Sequence, residues 1–152
     1  MEISAGDKVK YEWDEKLERL RVDRFLFSAV YLPFNYGFII GKRQKDGDPA
    51  DVVIYSSSPI ASGAIVRVKI IGLLAMVDEA GYDDKFIAVP AKNIDPQWSK
   101  LSDIGEVPQS LKKQTRSFFK NYKELEPKKW VKVKSFHGLK RVCREWKKLK
   151  SE

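Results

Sequence analysis

Three aspartates lie within six residues of one another in the segment Asp46-Gly47-Asp48-Pro49-Ala50-Asp51. Like charges this close repel one another, so the segment is stable only where a cation neutralises it. Gly47 and Pro49 keep the segment out of regular helix, which lets the carboxylates converge. Carboxylate oxygens without histidine or cysteine suit hard cations such as Mg²⁺ or Mn²⁺. The alternative interpretation is an acidic surface turn before the strand predicted to begin at Val52.

A second group of acids surrounds a glycine-containing turn in Asp78-Glu79-Ala80-Gly81-Tyr82-Asp83-Asp84-Lys85. If this segment is a hairpin, Asp78 and Asp83 lie at the same end of the sheet. Asp83 and Lys85 then share a face, because residues two apart on a strand point the same way. Two carboxylate clusters in one small domain could hold several metal ions, the arrangement that activates water against a phosphoryl group. Taken alone, the turn is equally typical of a polar hairpin loop.

Positively charged side chains accompany these acids. Arg24 has the strand parity of Leu20 and Val22, so it is predicted to point inward, where a guanidinium needs a carboxylate or a phosphate beside it. Further groups of this kind are Lys10 beside Glu12 on one strand face, Asn35-Tyr36-Gly37, and Tyr122-Lys123. Phenol and ammonium donors of this type hold phosphate. Together the acids and cations predict metal-assisted phosphoryl transfer or phosphoanhydride hydrolysis.

The elements that must position these side chains change character near Pro108. Before it, apolar and polar residues alternate in short segments with the period of half-buried strands. After it, apolar residues recur at helical spacing. The predicted strands cover 9–14, 20–24, 52–55, 66–76, 86–89 and 130–133, and the predicted helices run through 111–125 and 139–149. Short strands with helices grouped at the C-terminal end predict an α+β protein, mainly β, built on a small closed barrel.

Length and composition exclude several classes of protein. The 152 residues suit a single domain over 1–152, and 43% hydrophobic residues are enough to bury a core. The single Cys143 cannot form an internal disulfide, and the single His137 excludes a His-rich metal site. No apolar run approaches the length of a membrane span, and no signal-like leader precedes Glu2. A reduced, cytoplasmic protein that does not enter a membrane is therefore expected.

The net charge of +8 is unevenly distributed. Residues 110–152 contain 15 Lys or Arg against 4 Asp or Glu, whereas residues 1–109 contain 14 against 17. Such a basic region can follow a nucleic-acid backbone or an anionic membrane, or it can be the solvated face of two helices. A nucleic-acid-binding OB-like barrel is thus the alternative function. Against nucleic acid as a partner, the early strands lack aromatic residues clustered with Lys or Arg, and the seven acids between Asp46 and Asp84 stay unexplained.

Several sequence blocks together resemble the soluble inorganic pyrophosphatases of family I. The Asp-Gly-Asp-Pro-x-Asp block at 46–51 is the signature of that family, and the other blocks occur in the family's order and close to its spacing. They are Lys10-Tyr11-Glu12, Asp23-Arg24, Pro33-Phe34-Asn35-Tyr36-Gly37, Asp78-Glu79-Ala80-Gly81, Asp83 with Lys85, and Tyr122-Lys123. The resemblance implies a five-stranded OB-like closed barrel with flanking C-terminal helices. It further implies Mg²⁺-dependent hydrolysis of pyrophosphate to two orthophosphates by a metal-activated water, and a homo-oligomer that is hexameric in bacterial relatives.

The resemblance also implies roles for individual residues. Asp46, Asp51 and Asp83 would hold the first of several Mg²⁺ ions, with Asp51 also touching the second. Asp78 and Asp83 would hold a further ion, and Glu12 another through water. Asp48 matches the proton acceptor that takes a proton from the attacking water. The phosphates would be bound by Lys10, Arg24, Tyr36, Lys85, Tyr122 and Lys123.

One position departs from the family pattern, and one position that matches it is set aside. Leu32 stands where the family has tyrosine before the proline of its Pro-x-Asn-Tyr block, and the neighbouring Tyr31 is the residue able to turn inward in its place. Leu32 also supports a third interpretation, a related fold that binds phosphate without hydrolysing pyrophosphate. Glu2 matches an active-site acid of the family, but it is expected to lie on an untethered chain end and is given no role.

Overall fold

The computed structural model describes residues 1–14, 16–45 and 47–151, so the predicted metal ligand Asp46 lies outside the described residues. The strands in the described part are β1 (Val9–Asp14), β2 (Arg19–Phe25), β3 (Asn35–Arg43), β4 (Pro49–Ile54), β5 (Val68–Asp78), β6 (Gly81–Tyr82), β7 (Lys85–Pro90), β8 (Val131–His137) and β9 (Lys150–Ser151). The helices are α1 (Gln109–Asn121) and α2 (Leu139–Trp146), and two short 3-10 turns at Trp98–Lys100 and Ile104–Glu106 precede α1. The chain is therefore α+β and mainly β, as the sequence predicts.

Seven of these strands form one sheet, with the pairing order β6-β5-β7-β4-β3-β9 and with β8 also paired to β5. The neighbours are antiparallel except β4 and β7, which are parallel. β1 and β2 form a separate two-stranded antiparallel ribbon. Across the described residues these pairs do not close into a ring, so the predicted closed barrel of five strands is not confirmed by the strand pairing.

One helix packs on each face of the main sheet. Val53 and Ile87 face one core, which α1 closes with Phe118 and Phe119. The adjacent positions on the same strands, such as Val52 and Phe86, face a second core closed by α2. This division follows from the alternation of side chains along a strand, and burial of both faces explains why β4 and β7 are almost continuously apolar. Across the described residues, neither helix is long and apolar enough to cross a membrane.

Most predicted elements are observed, with shifted ends. α1 begins directly after Pro108, as predicted, but ends at Asn121, before Tyr122 and Leu125. α2 ends at Trp146, so Leu149 lies outside it. β3 was not predicted. Its sequence includes two glycines, and the left-handed backbone of Gly41 (φ 71°) breaks the alternation that marks a strand.

The N-terminal residues are tied to the sheet, so the prediction of an untethered Glu2 is wrong. The amino group of Met1 donates to the carbonyl of Ala64 (3.0 Å), and the N–H of Glu2 donates to the carbonyl of Tyr36 (2.9 Å). The main chain passes so close to β3 that a Cβ on Gly37 would lie 3.1 Å from Cα of Met1. Glycine is needed there for this close approach, and Glu2 is consequently buried.

Candidate active site

The centre of the site is the ammonium group of Lys85 between two carboxylates. Its Nζ donates to Asp51 Oδ2 and to Asp83 Oδ1, both at 2.5 Å, and only 3% of its side chain is exposed. The parallel pairing of β4 with β7 sets Val52 opposite Phe86, which brings the preceding residues Asp51 and Lys85 together. Asp83 joins them from two residues before Lys85, as the shared strand face predicts.

Two tyrosines line the same site. Tyr36 is the second residue of β3, between the buried Asn35 and Gly37, and Lys85 Nζ lies 5.8 Å from the centroid of its ring. Burial, reinforced for Tyr36 by the carboxylate of Asp51, raises the pKa of the Tyr36 and Tyr122 phenols. Burial by itself lowers the pKa of Lys85, but the negative charges beside it, those of Asp51 and Asp83 among them, outweigh burial and hold this pKa well above its ordinary value. The phenols are therefore neutral donors at physiological pH, and Lys85 is charged.

A second ion pair lies at the C-terminal end of β5. Lys123 Nζ donates to Asp78 Oδ2 at 2.7 Å and lies 3.7 Å from Glu79, while the N–H of Ala80 donates to Asp78 at 2.9 Å. Burial raises the pKa of Asp78, but these two donors outweigh it and the net shift is downward. In Lys123 the bond to Asp78 likewise outweighs burial and raises the pKa. Asp78 and Lys123 are thus both ionised.

The polar face of the β1–β2 ribbon carries a third group of charges. Lys10 donates to Glu12 at 2.9 Å and lies 3.8 Å from Asp23, whose carboxylate accepts from Arg24 at 3.1 Å. The register pairs Lys10 with Arg24 across the ribbon. The ribbon thus presents two cations and two carboxylates on adjoining positions.

The prediction that Arg24 points inward with Leu20 and Val22 is wrong in detail. Val22 is 49% exposed and the Arg24 side chain is 38% exposed, because β2 belongs to the separate ribbon and its alternation does not follow the core of the main sheet. The predicted anionic partner is present as Asp23. Within the described residues, however, Arg24 Nε is buried without a hydrogen-bond acceptor, which leaves a donor available for an anion.

Glu2 connects the ribbon with the centre of the site. Burial raises its pKa to about 7, against the lowering effect of Lys10 and with further raising by Asp51 and Glu12. These three neighbours come from both the ribbon and the main sheet. Sequence reasoning set Glu2 aside and assigned no role to Asp23 or Glu79. The role of Glu2 could have been found from its match to an active-site acid of the family. Asp23 and Glu79 are sequence neighbours of Arg24 and Asp78, to which roles were assigned.

Three other residues singled out in the sequence are Asp48, Leu32 and Tyr31. Asp48 lies in the exposed turn before β4, where its carbonyl accepts from the N–H of Gln44 at 2.7 Å. Leu32 is 2% exposed and packs in the core that α1 covers. Tyr31 is 58% exposed and contacts Lys8, whose Nζ lies 4.7 Å from the ring centroid. Tyr31 therefore does not replace the missing tyrosine.

The donor set fits a hard divalent cation, because it consists of carboxylate oxygens. Among the described residues, no three His, Cys, Asp or Glu side chains converge closely enough to hold a metal ion. The geometry explains this, since the Lys85 ammonium stands between Asp51 and Asp83 and neutralises them. Oxygen ligands of this kind bind Mg²⁺ through one or two carboxylates, with water and substrate phosphates completing the shell.

Comparison with known proteins places the chain in one protein family. The family model described as "Pyrophosphatase: Inorganic pyrophosphatase" matches residues 1–151. The inorganic pyrophosphatase of Aquifex pyrophilus is 46% identical over 148 residues, which are 97% of this chain and 84% of that protein. The structures of the enzymes from Helicobacter pylori and Thermus thermophilus superpose with TM-scores of 0.93 and 0.91, each at 39% identity and 97% coverage of this chain, covering 87% and 85% of theirs. A match of this extent makes the chain a member of the family I inorganic pyrophosphatases.

Proposed function

We propose that this pyrophosphatase hydrolyses inorganic pyrophosphate to two orthophosphates in the space between the β1–β2 ribbon and the paired strands β4 and β7 of the main sheet. The observation that carries the proposal is the buried Lys85 between Asp51 and Asp83, beside two neutral phenols. In each of the three groups of charges, at Lys10, Lys85 and Lys123, carboxylates lie beside a cation. A site of this composition suits a polyanion that arrives together with divalent cations.

The metal ligands we propose are Asp46, Asp51, Asp78 and Asp83, with Glu12 acting through water. Their oxygen atoms match the preference of Mg²⁺. When bound, the ions would neutralise charge on the phosphates and lower the pKa of the attacking water. Lys85 neutralises Asp51 and Asp83 when no metal does so, and its flexible side chain lets it turn to the substrate instead.

We propose that the cations and phenols around these carboxylates bind the substrate. Arg24 offers the buried Nε that lacks an acceptor, and a phosphate oxygen would satisfy it. Lys10 on the ribbon and Lys85 and Lys123 on the main sheet would contact the phosphates from opposite sides. Tyr36 and Tyr122 donate hydrogen bonds as neutral phenols. These groups stabilise the charge that gathers on the leaving phosphate.

Asp48 is the proposed general base. Asp48 is an exposed residue directly before β4, three residues before Asp51. From there it would accept a proton from the water that attacks phosphorus. In an exposed residue, the accepted proton can pass to solvent after each turnover.

Phosphate release from pyrophosphate, measured with and without Mg²⁺ and in excess chelator, tests the proposal. We expect hydrolysis in Mg²⁺, its loss in chelator, and inhibition by fluoride. Undiminished turnover in chelator would exclude the metal-dependent mechanism. An inactive wild type that regains hydrolysis on Leu32→Tyr substitution would favour a phosphate-binding protein instead.

Other properties of the family extend the proposal. They are a cytoplasmic location, a homo-oligomer of six chains, and an OB-like barrel formed by curvature of the main sheet. The similarity to bacterial pyrophosphatases over nearly the whole chain supports them. Sedimentation of the purified chain measures the oligomeric state directly.

A further inference from the structure

Asp84 separates two residues of the site, Asp83 and Lys85, but its side chain belongs to the other face of the sheet. Successive side chains of an extended chain point to opposite faces. Phe86, two residues further on, packs in the core that α2 closes. Asp84 itself contacts α2, where it forms an ion pair with Arg141 at 3.8 Å. The carboxylate of Asp84 therefore lies behind the site, on the side of α2.

The same carboxylate completes the pairing of the strands at this point. β5 pairs with β6 and with β7 in one antiparallel register, which sets Met76 opposite Asp83. Hydrogen-bonded residues of a regular antiparallel pair exchange two backbone bonds. Here the N–H of Asp83 donates to the carbonyl of Met76, but the N–H of Met76 donates to Oδ1 of Asp84, each at 3.1 Å. A side-chain carboxylate thus takes the place that a backbone carbonyl has in a regular ladder.

An arginine of α2 attracts this carboxylate from the other side. Arg141 Nη2 lies 3.8 Å from Oδ2 of Asp84, the oxygen that does not accept from Met76. The arginine is itself held by Glu145 of the same helix, whose Oε1 lies 2.9 Å from Arg141 Nε. The side chain of Asp84 is 16% exposed, so solvent screens these contacts only in part. Asp84 is therefore attached to β5 by a hydrogen bond and to α2 by an ion pair.

These two attachments restrain the peptide segment that carries two charged groups of the site. The immediate neighbours of Asp84 are Asp83 and Lys85, and the Lys85 ammonium donates to Asp83. A rotation of the peptide at Asp84 would displace both side chains. The groups of an active site must keep their places to within about 0.5 Å, and a misplacement of about 1 Å can lower the rate about 100-fold. A contact on the α2 face can therefore determine how well the site works.

We propose that Asp84 is a positioning residue for pyrophosphate hydrolysis: its hydrogen bond to Met76 fixes Asp83 for cation binding and Lys85 for the substrate. The inference rests on the proposed function, because it concerns a metal ligand and a phosphate-binding lysine named there. The role requires an oxygen that accepts from the N–H of Met76, and it does not require the negative charge. A purely structural link between the sheet and α2 would instead stabilise the fold without affecting the binding of Mg²⁺.

Two substitutions separate this hydrogen bond from the charge of Asp84. Asp84→Asn and Asp84→Ala remove the same negative charge, but asparagine keeps an oxygen that can accept from Met76, whereas alanine has none. The matched control is Asp103→Ala. Asp103 also accepts a backbone N–H, that of Gly105 at 2.8 Å, and it lies outside the site.

Isothermal titration calorimetry with Mg²⁺, in the absence of substrate, measures the affinity of each protein for the cation. Asp84→Ala should bind Mg²⁺ about 10-fold or more weakly, the usual effect of losing a contact that orients a metal ligand. Asp84→Asn should lose less than about 5-fold, since it gives up only a partly exposed ion pair. Thermal unfolding in chelator should show a lower Tm for both Asp84→Ala and Asp103→Ala, whereas Asp103→Ala should bind Mg²⁺ as the wild type does.

Equal Mg²⁺ affinities of Asp84→Asn and Asp84→Ala would overturn the proposal, because the lost charge would then explain both. So would an unchanged affinity of Asp84→Ala. An equally weakened affinity of Asp103→Ala would also overturn it, since loss of stability would then be the cause. A wild type that binds Mg²⁺ but does not hydrolyse pyrophosphate would refute the proposed function, and calorimetry would still measure the effect of Asp84 on cation binding.

Discussion

Replacing Lys85 by methionine should destabilise the metal-free protein and make its stability depend on divalent cations. Lys85 is 3% exposed, and Asp51 and Asp83, each 2.5 Å from its Nζ, are 22% and 20% exposed. Methionine preserves most of the side-chain volume but removes the positive charge. Two neighbouring carboxylates then lose the group that neutralises them, and their mutual repulsion is no longer offset.

The magnitude follows from the burial of the three groups. Removing one partner of a buried ion pair costs about 3–5 kcal/mol. Because about a fifth of each carboxylate stays in contact with solvent, we take the lower end, about 3 kcal/mol. A chain of this length loses about 2–4 °C in Tm per kcal/mol, so Lys85→Met should unfold about 6–12 °C below the wild type. The difference should narrow at low pH, since a protonated carboxyl group needs no cation.

Thermal unfolding in excess chelator, repeated in Mg²⁺, measures both effects. Mg²⁺ should raise the Tm of Lys85→Met more than that of the wild type, because the ion replaces an ammonium that the variant lacks. Lys92→Met, at an exposed lysine outside the site, is the matched control and should behave as the wild type does. The reasoning fails if Lys85→Met and the wild type unfold at the same temperature in chelator, or if Mg²⁺ stabilises them equally.

Three further substitutions test individual roles. Asp48→Asn keeps the shape of the side chain but removes the base. The kcat should therefore fall about 10²-fold or more, while the affinity for Mg²⁺ should change less. A kcat near that of the wild type would exclude Asp48 as the base. Arg24→Lys keeps the charge but loses the planar fork, so KM should rise with little change in Tm, whereas a purely structural role of its pair with Asp23 predicts the reverse. Glu2 has a pKa of about 7 in the folded chain, above its value in the unfolded chain, so its protonated form favours folding and this stability is lost as pH rises through 7. In chelator, the free energy of unfolding of the wild type should therefore fall by about 2.5 kcal/mol between pH 5 and 8 relative to Glu2→Gln. Parallel pH profiles of the two proteins would contradict the assignment.

Features that depend on near neighbours along the chain could be predicted from the sequence. Asp83 and Lys85 share a strand face because they are two residues apart, and the hairpin that brings Asp78 towards Asp83 is encoded by its own glycine turn. The start of α1 after Pro108 and the excess of positive charge after residue 109 could likewise be predicted from the sequence. The carboxylate pattern and its order then identified the family without any three-dimensional information.

Which of these groups meet depends on the tertiary structure. Asp51 reaches Lys85 through the parallel pairing of β4 and β7, and Glu2 enters the site through the bridge between Ile3 and Tyr36. Arg24 was predicted to point inward from its parity along the strand, which does not reveal that β2 belongs to a separate ribbon. Side-chain alternation predicts which residues share a face of a strand, but it does not predict which strand lies alongside or what covers that face. The neighbouring strand and the covering helix depend on contacts between residues tens of positions apart. These contacts are stabilised by the burial of both faces of the sheet at once.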